Sequence, residues 1–94
     1  MRVRVKYFGV IREIAGKRDE IVEVFSSIIL LDLLRILTAN YGSSMESYLF
    51  EPNVTTPRPI HLYLVNGKAF NAEQTSGVIL GEGSVVSIIP TQGG

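Results

Sequence analysis

The segment that decides the fold is SSIILLDLLRILTANYG, residues 26–42. Its apolar residues recur at the i, i+3, i+4, i+7 and i+11 spacing of one helix face, which comprises Leu30, Leu33, Leu34, Leu37 and Tyr41. Ser26 and Ser27 are suitable N-caps, and Gly42 stands where a helix commonly ends on glycine. The segment therefore predicts one amphipathic helix laid across a sheet.

Two strands are predicted before this helix. Basic and apolar side chains alternate along Arg2–Phe8, which is the two-residue period of a half-buried strand, and Gly9 closes it. Val10–Ala15 predicts a short helical turn, and Asp19–Phe25 is rich in β-branched residues. The two strands are expected to be antiparallel neighbours.

The chain after the helix begins with its least regular part. Ser43–Pro59 is predicted as a long surface connection, with at most one helical turn around Met45 and Leu49, because its prolines interrupt regular structure. Ile60–Val65 is almost continuously hydrophobic, which predicts a central strand buried on both faces.

Turn residues divide the rest of the chain. Asn66-Gly67 predicts a hairpin that returns through Lys68–Phe70. Leu80–Ser84 predicts another tight turn, followed by a last strand, Val85–Ile89, which Pro90 stops. The order predicts an α+β fold in which a mixed sheet of four to five strands packs on one main helix, with the first and last strands adjacent in its middle. We expect one domain over residues 1–90 and a flexible tail over 91–94.

The composition excludes several classes of protein. Apolar residues make up 46% of the 94 residues, which is enough for one core, and the formal net charge is zero, so a nucleic-acid-binding surface is not indicated. The absence of cysteine excludes disulfides, cysteine nucleophiles and cysteine-based zinc sites. No signal peptide or membrane-spanning segment is visible, so we expect a soluble cytoplasmic protein.

Residues able to form an active site are scarce. His61 is the single histidine, and it lies within an apolar strand, where a structural role is commoner than a catalytic one. The carboxylates follow no metal-binding spacing, and neither a nucleophile elbow nor a phosphate-binding glycine loop is present. We therefore expect that the chain has no catalytic residues of its own, no bound metal and no permanently bound cofactor.

The end of the sequence, IIPTQGG at residues 88–94, offers a different chemistry. Glycines lack a Cβ, so Gly93 and Gly94 can enter a narrow channel of another protein. A carboxyl group on Gly94 can be activated as a mixed anhydride with AMP and then attacked by a sulfur or amine nucleophile. In this interpretation the chain is the substrate of its partner enzymes. An inert glycine end, common in flexible tails, is the alternative.

Three segments carry a resemblance to a known family. They are VKYFGVIREIAG at residues 5–16, LVNG at residues 64–67, and LGEGSVVSIIP at residues 80–90 followed by Gly93-Gly94. Together, and in this order, they resemble the MoaD/ThiS group of ubiquitin-like β-grasp sulfur carriers, closest to MoaD, the small subunit of molybdopterin synthase. The tail departs from the usual Pro-Pro-x-x-Gly-Gly, because it has one proline and is one residue shorter.

The resemblance implies a function and partners. A MoeB/ThiF-like enzyme uses ATP to adenylate Gly94, which becomes a thiocarboxylate, and a MoaE-like large subunit receives the tail. There the sulfur is donated to a pterin precursor to build the molybdopterin dithiolene. The same tail chemistry would serve a thiazole-pathway sulfur donor or a protein modifier joined to lysines. A plain β-grasp interaction module is the alternative of another class.

A docking face is expected around the last strand. Phe8, Ile88 and Ile89 are candidates for an apolar patch there, although about half of such residues on period-two strands must face the core. Pro90, Thr91, Gln92 and Gly93 are expected to contact partners as they lead to Gly94. Neither a nucleic acid nor a membrane is expected as a partner.

Overall fold

The computed structural model describes residues 1–91. Its elements in chain order are β1 (Arg2–Tyr7), α1 (Val10–Ala15), β2 (Asp19–Glu23), β3 (Ile28–Ile29), α2 (Leu30–Tyr41), α3 (Ser43–Leu49), β4 (His61–Val65), β5 (Lys68–Phe70), a 3-10 helix (Ala72–Gly77), β6 (Ile79–Leu80) and β7 (Val85–Pro90).

The main sheet has five strands in the order β2-β1-β7-β4-β5. The pair β1–β7 is parallel, and the pairs β1–β2, β7–β4 and β4–β5 are antiparallel. The first and last strands therefore lie together in the sheet, as the sequence predicted. The predicted hairpin is also present, with positive φ angles of 51° at Asn66 and 88° at Gly67, the turn that Asn-Gly favours.

One face of this sheet, the inner face, packs against α2. Alternate strand residues and one stripe of the helix meet there, and the fully buried members include Val3, Val5, Tyr7, Tyr63, Val86, Ile88, Leu30, Leu33, Leu34 and Leu37. Burial of this apolar area is the main source of stability for a chain of this size. The opposite side of the sheet, the outer face, carries the remaining strand residues.

The main helix begins later than the serines predicted. Ile28 and Ile29 form β3, which pairs with Leu80 and Ile79 of β6, and α2 starts at Leu30 with Ile29 as its uncapped N-cap residue. The prediction that Ser26 or Ser27 caps the helix is therefore wrong. Two β-branched isoleucines favour the extended conformation once a partner strand is available, and that partner lies fifty residues away in the chain.

The segment between α2 and β4 has more order than was expected. It contains the two-turn helix α3, and Phe50 and Pro57 form an isolated antiparallel bridge. Arg58 holds the segment to α3, since its Nε donates a hydrogen bond to the Ser47 carbonyl oxygen at 2.8 Å. The sequence also did not predict the 3-10 helix, although Asn71 and Gln74 form a reciprocal capping box at its start.

Two strands differ from their predicted form. In β4, His61, Tyr63 and Val65 are buried, whereas Leu62 and Leu64 are half-buried, so the strand is not buried on both faces. β4 lies between two other strands of the sheet, but α2 covers only the inner face of the sheet. The second strand, β2, ends at Glu23, and Phe25 lies beyond it with a fully exposed side chain.

A buried polar cluster ties the sheet to the helix. The Glu20 carboxylate accepts hydrogen bonds from the hydroxyls of Tyr7 on β1 and Tyr41 on α2. Lys17 lies 3.8 Å from the same carboxylate. Burial, followed by its contact with Glu20, raises the pKa of Tyr7 far above its ordinary value, so the buried hydroxyl stays protonated.

Among residues 1–91, none of the helices is both long and apolar enough to cross a bilayer.

Candidate functional site

Three neighbouring strands bring apolar side chains together on the outer face, close to where the chain leaves the sheet. Ile89 of β7 stands opposite Leu62 of β4 in the antiparallel ladder. On the other side of β7, the amide of Phe8 donates a hydrogen bond to the Ile88 carbonyl oxygen at 3.3 Å, which extends the parallel register by one residue and sets Phe8 beside Ile89. We call Phe8, Ile89 and Leu62 the apolar row.

The apolar row is accessible without being fully exposed. The side chain of Phe8 is 38% exposed, and Ile89 and Leu62 are half-buried. Partly exposed apolar side chains that lie next to one another on a surface are typical of docking sites for other proteins.

The polarity of the outer face rises with distance from the apolar row. The next register line contains Lys6, Ser87 and Leu64, and the line beyond it pairs Arg4 with Val85. Arg4 is bound to Asp19 at 2.9 Å, whereas Lys6 forms no ion pair with any residue in the described range 1–91. A partner that covers the apolar row therefore meets a free positive charge at its border.

Thr91, from which the chain continues toward Gly94, is hydrogen-bonded next to the apolar row. The Ile60 carbonyl oxygen accepts hydrogen bonds from the Thr91 amide at 3.1 Å and from the Thr91 hydroxyl at 2.9 Å. Thr91, the first residue of the tail predicted for 91–94, is therefore held by two hydrogen bonds. The predicted partner residues Gln92 and Gly93, and the predicted reactive residue Gly94, lie outside the described residues.

Two of the predicted docking residues lie elsewhere than on the outer face. Ile88 is fully buried against α2, so the prediction that its side chain belongs to a partner surface is wrong. The pleat explains this, because successive residues of β7 point to opposite faces and Ile89 takes the outer one. Pro90 is half-buried and pairs with His61 across the ladder.

His61 has a structural environment. Its Nε2 lies 2.6 Å from the Tyr48 carbonyl oxygen of α3, and the two rings stack with their centroids 4.4 Å apart. Its Nδ1 is buried and has no hydrogen-bond partner within residues 1–91. Burial lowers the pKa of His61, which the hydrogen bond to Tyr48 opposes in part. The ring is therefore neutral near pH 7 and joins α3 to the sheet.

The described residues offer no competing centre for metal or covalent chemistry. No group of three or more potential ligands that could hold a metal ion exists between residues 1 and 91. A cavity of about 790 Å³ lies between α2, α3 and residues 50–55, and none of the predicted site residues lines it.

The sequence did not identify all of the outer face. Leu62 belongs to the strand that was predicted from the sequence to be buried on both faces. Leu62 shares the outer face with Ile89 because of the antiparallel register between β4 and β7, which is set by contacts between residues far apart in the chain.

The sequence matches one known protein family. The profile of the ThiS family matches residues 5–94. The chain belongs to the ThiS family. Its members are ubiquitin-like β-grasp sulfur carriers, so the resemblance stated from the sequence is confirmed. No curated protein matches the sequence significantly.

Solved structures share the fold of this chain. SAMP1, a small archaeal modifier protein from Haloferax volcanii, is similar with a TM-score of 0.82 at 23% identity, with 100% of this chain and 99% of that chain covered. The HVO 2177 protein from Haloferax volcanii gives a TM-score of 0.77 at 26% identity, with coverages of 97% and 83%.

A third structure comes from another organism. A protein from Pyrococcus furiosus described as molybdopterin converting factor subunit 1 gives a TM-score of 0.68 at 21% identity, with coverages of 96% and 97%. These likenesses confirm the predicted β-grasp fold, a mixed sheet packed on one main helix.

Proposed function

We propose that this ThiS-family chain is the sulfur-carrying small subunit of a molybdopterin synthase, with Gly94 as the residue that bears the sulfur. The observation that carries the proposal is the position of the apolar row. The apolar row borders Thr91, which is hydrogen-bonded to Ile60 and is followed in the chain by Gln92, Gly93 and Gly94. A partner that docks on the row is thereby set beside the reactive end.

The distances suit this arrangement. Three residues follow Thr91, and a fully extended chain of that length spans about 10 Å. Because Thr91 is bonded to Ile60, the point from which the last three residues of the sequence continue has a fixed position relative to the outer face. The partner's active site must then lie within about 10 Å of the edge of its docking surface.

The proposed chemistry proceeds in three steps. An oxygen of the Gly94 carboxylate attacks the α-phosphate of ATP, and pyrophosphate leaves to give an acyl adenylate. A hydrosulfide equivalent from a sulfur donor attacks the acyl carbon, and AMP leaves to give a thiocarboxylate. The thiocarboxylate sulfur then displaces an oxygen substituent from a carbon of the pterin precursor, and water cleaves the acyl–sulfur bond, which leaves the sulfur on that carbon as a thiol and regenerates the carboxylate.

The first two steps belong to a MoeB/ThiF-like adenylating enzyme with its sulfur donor, and the third to a MoaE-like large subunit. Both partners would use the apolar row in turn. Lys6 and Arg4 on the same face favour a partner surface that is apolar in its centre and acidic at its border.

The molybdopterin assignment rests on the sequence segments closest to MoaD and on the similarity to the Pyrococcus furiosus protein. A protein modifier is the second candidate, and it is favoured by the higher TM-score of SAMP1. In that case the acyl adenylate reacts, through the modifying enzymes, with a lysine amine of a target protein, and the product is an isopeptide bond.

The test is an intact-mass measurement after incubation with ATP, a sulfur source and an extract of the source cells. The proposal expects a mass gain equal to the replacement of one oxygen by sulfur, mapped to Gly94. The purified thiocarboxylate is then mixed with the large subunit and pterin precursor, and molybdopterin formation is expected.

The control is a chain without Gly93 and Gly94, which must keep its fold and gain no sulfur. Adducts to lysines of other proteins through Gly94, without pterin sulfuration, would support the modifier instead. A carboxylate that stays unmodified beside a reacting positive control would favour the interaction module.

A further inference from the structure

The apolar row contains one residue whose side chain has to be held in place. Ile89 and Leu62 lie within strands and pair with each other across the ladder, but Phe8 follows the last residue of β1. Its ring is 38% exposed, and the chain turns away immediately after it at Gly9, which has a φ of 75°. An aromatic ring at the end of a strand samples several rotamers unless another group restrains it.

Arg12 supplies two contacts that provide this restraint. Its Nε donates a hydrogen bond to the Tyr7 carbonyl oxygen at 3.2 Å, so the side chain folds back over the end of β1. Its guanidinium carbon then lies 5.7 Å from the centre of the Phe8 ring, within the range of a cation–π contact.

The local backbone explains how Arg12 reaches this position. The positive φ of Gly9 reverses the chain, and the Gly9 carbonyl oxygen accepts a hydrogen bond from the Arg12 amide at 3.1 Å. This begins α1, whose buried Ile11 faces the core. Arg12 follows Ile11 on α1 and is half-buried, and its side chain extends toward the end of β1.

We propose that Arg12 is a positioning residue, which holds the Phe8 ring in its partner-competent orientation on the outer face. The inference rests on the proposed function, because it concerns the docking of the carrier on its adenylating enzyme. A ring ordered before docking loses less conformational freedom on binding, so the expected benefit is in affinity.

The side chain of Arg12 has features that lysine does not share. The Arg12 side chain donates from Nε, at the base of its rigid guanidinium, while the guanidinium carbon lies near the Phe8 ring, whereas lysine carries its donors only on an ammonium at the end of a flexible stem. Arg12→Lys should therefore keep the charge and lose the restraint. A purely electrostatic role would instead be preserved in Arg12→Lys.

The first experiment measures ATP–pyrophosphate exchange by the adenylating enzyme of the same cells, with the carrier as the varied substrate. Arg12→Ala is expected to raise the KM for the carrier about three- to tenfold, with kcat within about twofold of wild type. Arg12→Lys should show most of that rise. In the Phe8→Ala background, Arg12→Ala should have little further effect.

Arg18→Ala is the matched control. Arg18 is exposed on the same connection, and its side chain forms no hydrogen bond or ion pair within residues 1–91, so its loss removes the same charge without touching Phe8. A wild-type KM is expected for it. A rise equal to that of Arg12→Ala would show that charge alone matters and would overturn the proposal.

A second experiment uses the free protein and separates this inference from the proposed function. The χ1 populations of Phe8 are measured by NMR couplings in wild type and in Arg12→Ala, with the melting temperature of each. A single dominant rotamer that becomes mixed in Arg12→Ala supports the positioning role, even if no adenylating enzyme accepts the chain. An unchanged rotamer distribution overturns it, and failure of wild type to support exchange overturns only the proposed function.

Discussion

The two faces of the sheet differ more than their sequences suggest. Ile88 and Ile89 are consecutive identical residues of β7, yet Ile88 is fully buried under α2 and Ile89 lies half-buried on the outer face beside Phe8 and Leu62. The difference arises from the pleat alone, because it directs neighbours to opposite sides. One strand thus contributes to stability with one face and, in the proposed function, to recognition with the other.

This division implies that the two properties can be changed separately. Substitutions on the inner face should alter the free energy of unfolding, and substitutions in the apolar row should alter partner affinity. Substitutions at Ile88, Leu62, Tyr7 and His61 test whether stability and partner affinity can be changed separately, and their expected effects decrease in that order.

Ile88→Ala should destabilise the fold by about 2–5 kcal/mol, because it opens a cavity between β7 and α2. Ile89→Ala is the matched control and should cost less than about 1 kcal/mol, since its site is partly hydrated. The measurement is the free energy of unfolding in urea for both variants. Equal losses at the two positions would contradict the assignment of the faces.

Leu62→Asp should reduce affinity for the docking partner at least about tenfold and leave the melting temperature close to that of wild type, because Leu62 lies at the end of the apolar row. Calorimetric titration with the purified adenylating enzyme measures the effect. Arg35→Ala, on the exposed side of α2, is the control. Wild-type affinity in Leu62→Asp would exclude the outer face as the docking site.

Tyr7→Phe should cost about 1 kcal/mol of stability, because it removes a buried hydroxyl that donates to Glu20. Tyr41→Phe removes the less buried donor and should cost less. The raised pKa of Tyr7 also predicts that wild type loses stability as the pH rises above about 10, where the unfolded chain releases the proton and the folded chain keeps it. Urea titrations at pH 8 and above should show a weaker alkaline loss for Tyr7→Phe.

His61→Gln should flatten the pH dependence of stability on the acid side. The folded-state pKa of His61 is lowered, so below about pH 6.5 the unfolded chain binds a proton that the folded chain refuses, and stability falls as the pH falls. Unfolding curves between pH 7.5 and 5 should show a smaller decrease for the variant than for wild type. An identical decrease in both proteins would mean that other groups dominate.

Much of the fold was readable from local patterns. The alternation in β1, the apolar stripe of α2 and the Asn66-Gly67 turn each encode their structure within a few residues. The adjacency of the first and last strands was also predicted, whereas the pairing of β7 with β4 was not. The start of α2 was not readable, because Ile28 and Ile29 pair with β6, a strand remote in the chain. Propensity has little predictive power where a distant partner decides between strand and helix.

The candidate site was predicted only in part. Phe8 and Ile89 lie on the outer face, Ile88 lies in the core, and Leu62 was not among the predicted docking residues. The partner contacts of Phe8 and Ile89 stay predictions. The contact of Arg12 with Phe8 depends on a chain reversal at Gly9, and periodicity cannot reveal which side chains such a reversal brings together.

The sequence by itself determined the family, the five strands of the main sheet, the presence of the main helix and the two glycines at 93 and 94, because these depend on residue type and short-range spacing. The tertiary structure alone decided which of two adjacent isoleucines meets solvent, which residues form the apolar row, and where the tail is fastened. Those features depend on strand register and on the single helix that covers one face of the sheet, and both are set by contacts between residues far apart in the chain.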